Sequence, residues 1–121
     1  MPASYHIDPE RRTIFSSATG VVTDDDLKGH QSRLRSDPAF DRTFNQLWDL
    51  RGVAEARVTN GAIRTLADSR SFDAGARRGV VAPQDLVYGL ARMFEMLRDD
   101  SEEEIRAFRN FEEAKQWLGL A

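Results

Sequence analysis

RRGVVAPQDLVYGLARMFEML, residues Arg77 to Leu97, holds a short apolar run, a proline and a long periodic segment in direct succession. Gly79-Val80-Val81-Ala82 is uniformly apolar and short, which predicts a strand covered on both faces rather than one half exposed to water. Pro83 suits the first position of a helix, where a backbone N–H would have no intrahelical partner. Leu86, Val87, Leu90, Met93, Phe94 and Leu97 then follow the spacing of a single helix face. Gly89, in the interior of this helix, costs roughly 0.5–1 kcal/mol relative to alanine and is read as close packing on a sheet. A strand that feeds straight into a helix is half of a βαβ unit, and the remaining chain repeats the idea.

Downstream of this unit, Asp99 to Glu104 reads as an acidic loop. Ile105 to Phe108 reads as a short strand near a sheet edge. Asn110 and Glu113 resemble a capping box, and Phe111, Ala114, Trp117 and Leu118 give the final helix its inner face. Upstream, Ser4–Ile7 and Thr13–Thr19 read as strands joined by Asp8-Pro9-Glu10-Arg11, which is turn chemistry. Gly20 is expected to end the second strand. Thr23 caps the first helix, Asp24, Asp25 and Asp26 suit its positive end, and Val22 and Leu27 form a staple. Leu27, His30 and Leu34 share a face; the helix stops before Ser36-Asp37-Pro38, and Phe40 folds back onto the core. Leu47 to Leu50 is a strand, Ala54 to Val58 a loop or weak extension of it, and Thr59 the cap of a second helix with Ile63, Leu66 and Ala67 inward. The order β-β-α-β-α-β-α-β-α predicts one α/β domain over residues 1–121, with a mostly parallel sheet and an antiparallel start.

The totals narrow the function. The chain has 121 residues, 40% hydrophobic and 31% charged, enough for one core. Its net charge of −3 and the lack of a basic patch argue against a nucleic-acid partner. Without cysteine there is no disulfide and no thiolate nucleophile or metal ligand, which fits a reducing, cytoplasmic setting. The polar, acidic start MPASYHIDPE has no signal-peptide character, and no apolar run suggests membrane insertion. His6 and His30 stand apart from any nucleophile or ligand cluster, and the glycines form no phosphate loop, so no metal, cofactor or catalytic group is expected.

Several segments together resemble the bacterial STAS/SEC14-like (SpoIIAA-like) small proteins. They are Thr23-Asp24-Asp25-Asp26-Leu27, Asp37-Pro38-Ala39-Phe40-Asp41, Trp48-Asp49-Leu50-Arg51-Gly52-Val53, Val81-Ala82-Pro83-Gln84-Asp85-Leu86, and Phe108-Arg109-Asn110 with Glu113-Ala114. The resemblance spans nearly the whole chain and implies a STAS-like, two-layer α/β fold. Its relatives include anti-sigma-factor antagonists, which bind a kinase and are switched by phosphorylation of a serine. Asp49-Leu50-Arg51-Gly52-Val53 is similar to one of their motifs. The phosphoserine motif is met only by Val58-Thr59-Asn60-Gly61, which lacks the aspartate and makes Thr59 the one possible phosphoacceptor. SEC14-type relatives bind lipids, although no lipid cavity can be read from this sequence.

In open α/β sheets, ligands sit beyond the carboxyl ends of the strands. That edge gathers Arg51, Thr59, Gln84 and Arg109, where helix N-termini and guanidinium groups suit a small anionic or lipid-like ligand. Tyr88, Arg92 and Met96 lie off the apolar stripe of the central helix and form a candidate interface, with a homodimer as the expected assembly. The expected function is a non-enzymatic regulatory or scaffolding protein-interaction module. The alternative is small-molecule binding at the strand edge.

Overall fold

The chain opens with the hairpin that its Asp-Pro turn calls for: β1 (Ala3–Asp8) and β2 (Thr13–Thr23) pair antiparallel, with Tyr5 opposite Ser16. Then come α1 (Asp24–Ser36), β3 (Asn45–Arg57), α2 (Asn60–Asp68), β4 (Arg77–Val81), α3 (Asp85–Leu97), β5 (Glu104–Phe108) and α4 (Phe111–Trp117). The computed structural model describes residues 2–68, 71–98 and 104–120. Most of the expected acidic loop, residues 99–103, lies outside them. Among the described residues no helix is long and apolar enough to cross a membrane.

The sheet order is β1-β2-β3-β4-β5, and β2 to β5 are all parallel. Each crossover therefore steps one strand in the same direction. With right-handed crossovers, α1, α2 and α3 must fall on the same face. The strand residues confirm it by alternation. Trp48, Val80 and Ala107 point into the α1–α3 layer, while their neighbours Leu47, Val81 and Phe108 pack with Ala114 and Leu118 at α4 on the reverse face. The reverse face over β1 and β2 carries Ser4, His6 and Ser17, with Phe111 of α4 beside them. β4 is fully buried from Arg78 to Val81, as its apolar run predicts, and β5 forms the sheet edge.

The structure corrects four sequence expectations. Gly20 does not end β2. It takes φ +69° inside a register irregularity, and β2 continues to Thr23 against Val53–Arg57 of β3. Glycine allows this bulge because an L side chain is strained at positive φ. Gly52 stands beside it, where a Cβ would lie 2.8 Å from Thr19 Cγ2. The segment after Gly52 is therefore a true extension of β3. Second, Pro83 lies outside α3: Gln84 is the N-cap and Asp85 the first helical residue.

Third, Leu86 and Leu97 are not on the inner face of α3; they are 67% and 44% exposed, while Val87 and Ala91 are buried. The helix is rolled toward the sheet edge. Glu95 reaches β5 and accepts the backbone N–H of Ala107 at 3.0 Å, and Tyr88 packs against the core. Satisfying an edge-strand donor turns the apolar flank of Leu86 and Leu97 outward. Tyr88 consequently does not point away from the core. Fourth, Gly89 packs on nothing: a Cβ there would meet no atom within 4 Å.

The caps match the sequence. Thr23 Oγ1 accepts the N–H of Asp26 at 3.3 Å while the Asp26 carboxylate accepts the N–H of Thr23 at 2.8 Å, an aspartate version of the capping box. Thr59 Oγ1 accepts the N–H of Ala62 at 3.1 Å, and Asn110 Oδ1 that of Glu113 at 3.0 Å. Phe40 folds back as expected, edge-on to Phe72 at 5.4 Å between ring centres.

Candidate functional site

Three strands each place a polar residue inward, beneath the helix layer. Ser16 on β2, Gln46 on β3 and Arg78 on β4 are 1%, 1% and 8% exposed. Gln46 and Arg78 are register partners. Burying such groups is costly unless their hydrogen bonds are met. Here they are met in sequence: Arg78 Nε–H donates to Gln46 Oε1 at 3.0 Å, and Gln46 Nε2–H donates to Ser16 Oγ at 3.0 Å. Ser16 Oγ lies 3.0 Å from His30 Nε2 on α1. Since Ser16 already accepts from Gln46, its own proton can go to a neutral imidazole.

His30 is held neutral by its surroundings. Burial, and secondarily Arg33 and Arg78, push its pKa from 6.5 down to about 4. Its ring sits 4.3 Å from that of Trp48 and edge-on to Tyr5 at 5.5 Å. Tyr5 Oη donates to the Asp37 carboxylate at 2.7 Å, which ties β1 to the end of α1.

Gln46, Arg78 and His30 of this row form one wall of a cavity of about 120 Å³ between the sheet and α1–α3. Leu27, Ile63, Leu66, Leu90 and Phe94 line it from the helices; Trp48, Val53 and Val80 line it from the sheet. Ser71 and Phe72 close the polar end, where Gln31 Nε2 donates to Ser71 Oγ at 3.4 Å. Among the described lining residues Arg78 carries the only charge. Its guanidinium lies 4.4 Å from the ring centre of Phe72 and 5.3 Å from that of Phe94. An apolar pocket with a few convergent polar groups is the usual form of a small-molecule site.

The strand edge is built differently from what the sequence suggests. Arg51 is bound to Asp49 through Nε and Nη2, both at 2.9 Å, and lies 3.8 Å over the Phe111 ring. That pairing holds the Asp49 carboxyl below the usual carboxylate range. Arg109 donates to Asp85 at 2.7 Å and stacks on Tyr88 at 4.2 Å. Gln84 Nε2 donates to the carbonyls of Arg51 and Val53 at 3.1 and 2.9 Å. Gln84 and Arg109 follow the ends of β4 and β5, and Arg51 lies mid-strand in β3, just past the point where β3 stops pairing with β4. Gln84 Oε1 is buried with no hydrogen-bond partner. It presents an acceptor, and both arginines already face carboxylates.

Thr59 belongs to a separate cluster. Its hydroxyl donates to Asp24 Oδ2 at 2.8 Å and its N–H to Asp24 Oδ1 at 2.8 Å. These bonds lower the Asp24 pKa. A phosphate on Thr59 would break the pair and stand against a carboxylate. Of the proposed interface residues, Met96 is 67% exposed, Arg92 pairs with Glu95, and Tyr88 is half-buried. Among the described residues no group of histidines and carboxylates could hold a metal ion.

Ser16, Gln46 and Arg78 were not among the sequence-predicted site residues. Their signal was present as parity: Gln46 shares a strand face with Trp48, and Arg78 with Val80, so each is a polar residue at an inward position.

No family model matches the chain, and no curated protein sequence matches it. A solved structure does. It is the crystal structure of an uncharacterised protein of the DUF3478 family with a SpoIIAA-like fold, from Shewanella loihica PV-4. The two are 18% identical and superpose with a TM-score of 0.60 over 96% of this chain and 93% of the other. Strand and helix order, the mixed five-stranded sheet and this likeness agree with the resemblance read from the sequence: the chain has a SpoIIAA-like α/β fold.

Proposed function

We propose that the domain is a non-enzymatic binding module that holds a small, mostly apolar molecule between its sheet and the α1–α3 layer. The cavity with its single polar wall carries this reading. An apolar cavity of about 150 Å³ stays dry and accepts benzene or xenon, so a space of comparable size is large enough for a ring. Occupancy would stabilise the folded domain by mass action, and a partner that senses the helix layer would thereby read it. This form of regulation needs no phosphorylated residue. The test is benzene or toluene added to the purified protein, read by melting temperature and Trp48 fluorescence. A rise in Tm with a change in Trp48 emission is expected. Neither change at saturating hydrocarbon would overturn the reading.

A second reading rests on α3. Leu86 and Met96 are each 67% exposed and Leu97 44%, on adjoining sides of one helix. They suit self-association through α3. Native mass spectrometry should show a dimer that Leu86→Arg converts to monomer. A monomeric wild type would remove this reading.

A further inference from the structure

We infer that the cavity takes a neutral single-ring molecule with no hydrogen-bonding group, and turns away alcohols and acids of the same size. This rests on the cavity reading above and adds the chemical class.

Size sets the body of the ligand. At about 120 Å³ the space matches one ring and is far too small for a long acyl chain or a phospholipid. Trp48 and Val80 on the sheet side, with Leu90 and Phe94 on the helix side, give it apolar walls.

The polar wall sets the rest, because its groups are bonded within the protein. Gln46 uses both ends of its amide, accepting from Arg78 and donating to Ser16. His30 Nε2 is engaged by the same Ser16 hydroxyl at 3.0 Å. Gln31 Nε2 donates to Ser71 at the polar end, and neither Ser71 nor Arg78 is left free. Among the described residues, the one buried side-chain nitrogen or oxygen without a hydrogen-bond partner is Gln84 Oε1, and Gln84 does not line the cavity. A ligand hydroxyl would therefore leave water and find no unpaired partner on this wall. To gain one it would have to break a bond of the row, and the group it displaced would then be buried without a partner. A carboxylate adds the desolvation of a full charge. A hydrocarbon ring meets neither cost and gains by leaving water. The row thus selects by exclusion: it keeps its own atoms bonded and offers a polar ligand nothing in exchange for its hydration.

The experiment compares toluene, phenol and benzoate on the wild-type protein at pH 7.5, by calorimetry and Tm. Toluene should bind about 10-fold or more tighter than phenol, with benzoate weakest. Ser16→Ala supplies a second readout. It leaves Gln46 Nε2 without its acceptor, so that N–H can donate to the phenol oxygen, and the gap between toluene and phenol should shrink by about 3-fold or more. If Ser16→Ala does not fold, the wild-type series decides alone. Phenol or benzoate closer to toluene than about 10-fold, or a gap unchanged in folded Ser16→Ala, would overturn this assignment and leave the cavity reading standing. No binding by any of the three would overturn both.

Discussion

Replacing Ala91 with leucine should make the protein more stable, which is unusual for enlarging a buried residue. Ala91 is 6% exposed on α3 and faces the cavity together with Val80. Leucine adds three carbons, worth at most ~2.4 kcal/mol at ~0.8 kcal/mol each, less roughly 0.5–1 kcal/mol for ordering the side chain. The net gain is about 1–2 kcal/mol, or roughly 4–10 °C in Tm for a domain of this length. Leucine and alanine differ little in helix propensity, so the change reports packing. Urea denaturation gives the free energy, and the m-value checks that the unfolding reaction is unchanged. The same variant should lose its response to benzene. Gly89→Ala, on the exposed side of the same helix, is the control: it should add about 0.4–1 kcal/mol through backbone entropy and keep the benzene response. A loss of 1–3 kcal/mol in Ala91→Leu, the ordinary cost of overpacking, would mean that the space beneath α3 is not open. A benzene response that survives in Ala91→Leu would place the binding elsewhere.

Three further outcomes follow from the polar wall and the helix caps. Ser16→Ala removes the acceptor of Gln46 and the partner of His30, and should cost about 1–3 kcal/mol by urea denaturation. His30 should make stability depend on acid pH. Its pKa is about 4 folded and 6.5 unfolded, so the unfolded chain binds the extra proton first. Stability is therefore complete above pH 6.5 and falls as the pH drops toward 4, by an amount on the order of 3 kcal/mol. His30→Gln should flatten the curve across that window, and an unchanged curve would show that His30 is not the group responsible. Thr59→Ala should cost about 0.5–2 kcal/mol for the lost cap, and Thr59→Glu should cost more, since it sets a carboxylate against Asp24. A phosphomimetic as stable as wild type would refute that clash.

The fold was legible because its signals are local. Strand and helix periods, the Asp8-Pro9 turn and the caps at Thr23, Thr59 and Asn110 each depend on a few neighbouring residues, and each is found where the sequence puts it. Misreadings arose where a distant partner decides. Gly20 reads as a strand end, but its bulge exists only because β3 continues beside it. Leu86 and Leu97 fit the apolar period of α3, yet the roll of the helix is set by Glu95 reaching Ala107 across to β5. The candidate site was hidden for the same reason. Ser16, Gln46 and Arg78 are separated by 30 and 32 residues in sequence, and only the register of three strands makes them one row.

That row and the cavity beside it bear on function through what they replace. A domain of this size has net stability of roughly 5–15 kcal/mol, so a core position given to a polar side chain rather than an apolar one is a sizeable choice. Leucine or valine at Gln46 and Arg78 would satisfy the strand pattern and remove two buried polar groups that must be bonded to be tolerated. The chain instead keeps a complete hydrogen-bond chain from Arg78 to His30, with the guanidinium near the rings of Phe72 and Phe94. A fully bonded polar wall facing an apolar space fixes one side-chain arrangement in advance, as recognition of a small molecule requires. Local sequence logic is followed elsewhere in the core and departs here, and such departures concentrate at functional sites. The strand edge shows the opposite pattern. Its arginines are neutralised by Asp49 and Asp85, which is how surface charges are arranged when they serve the fold.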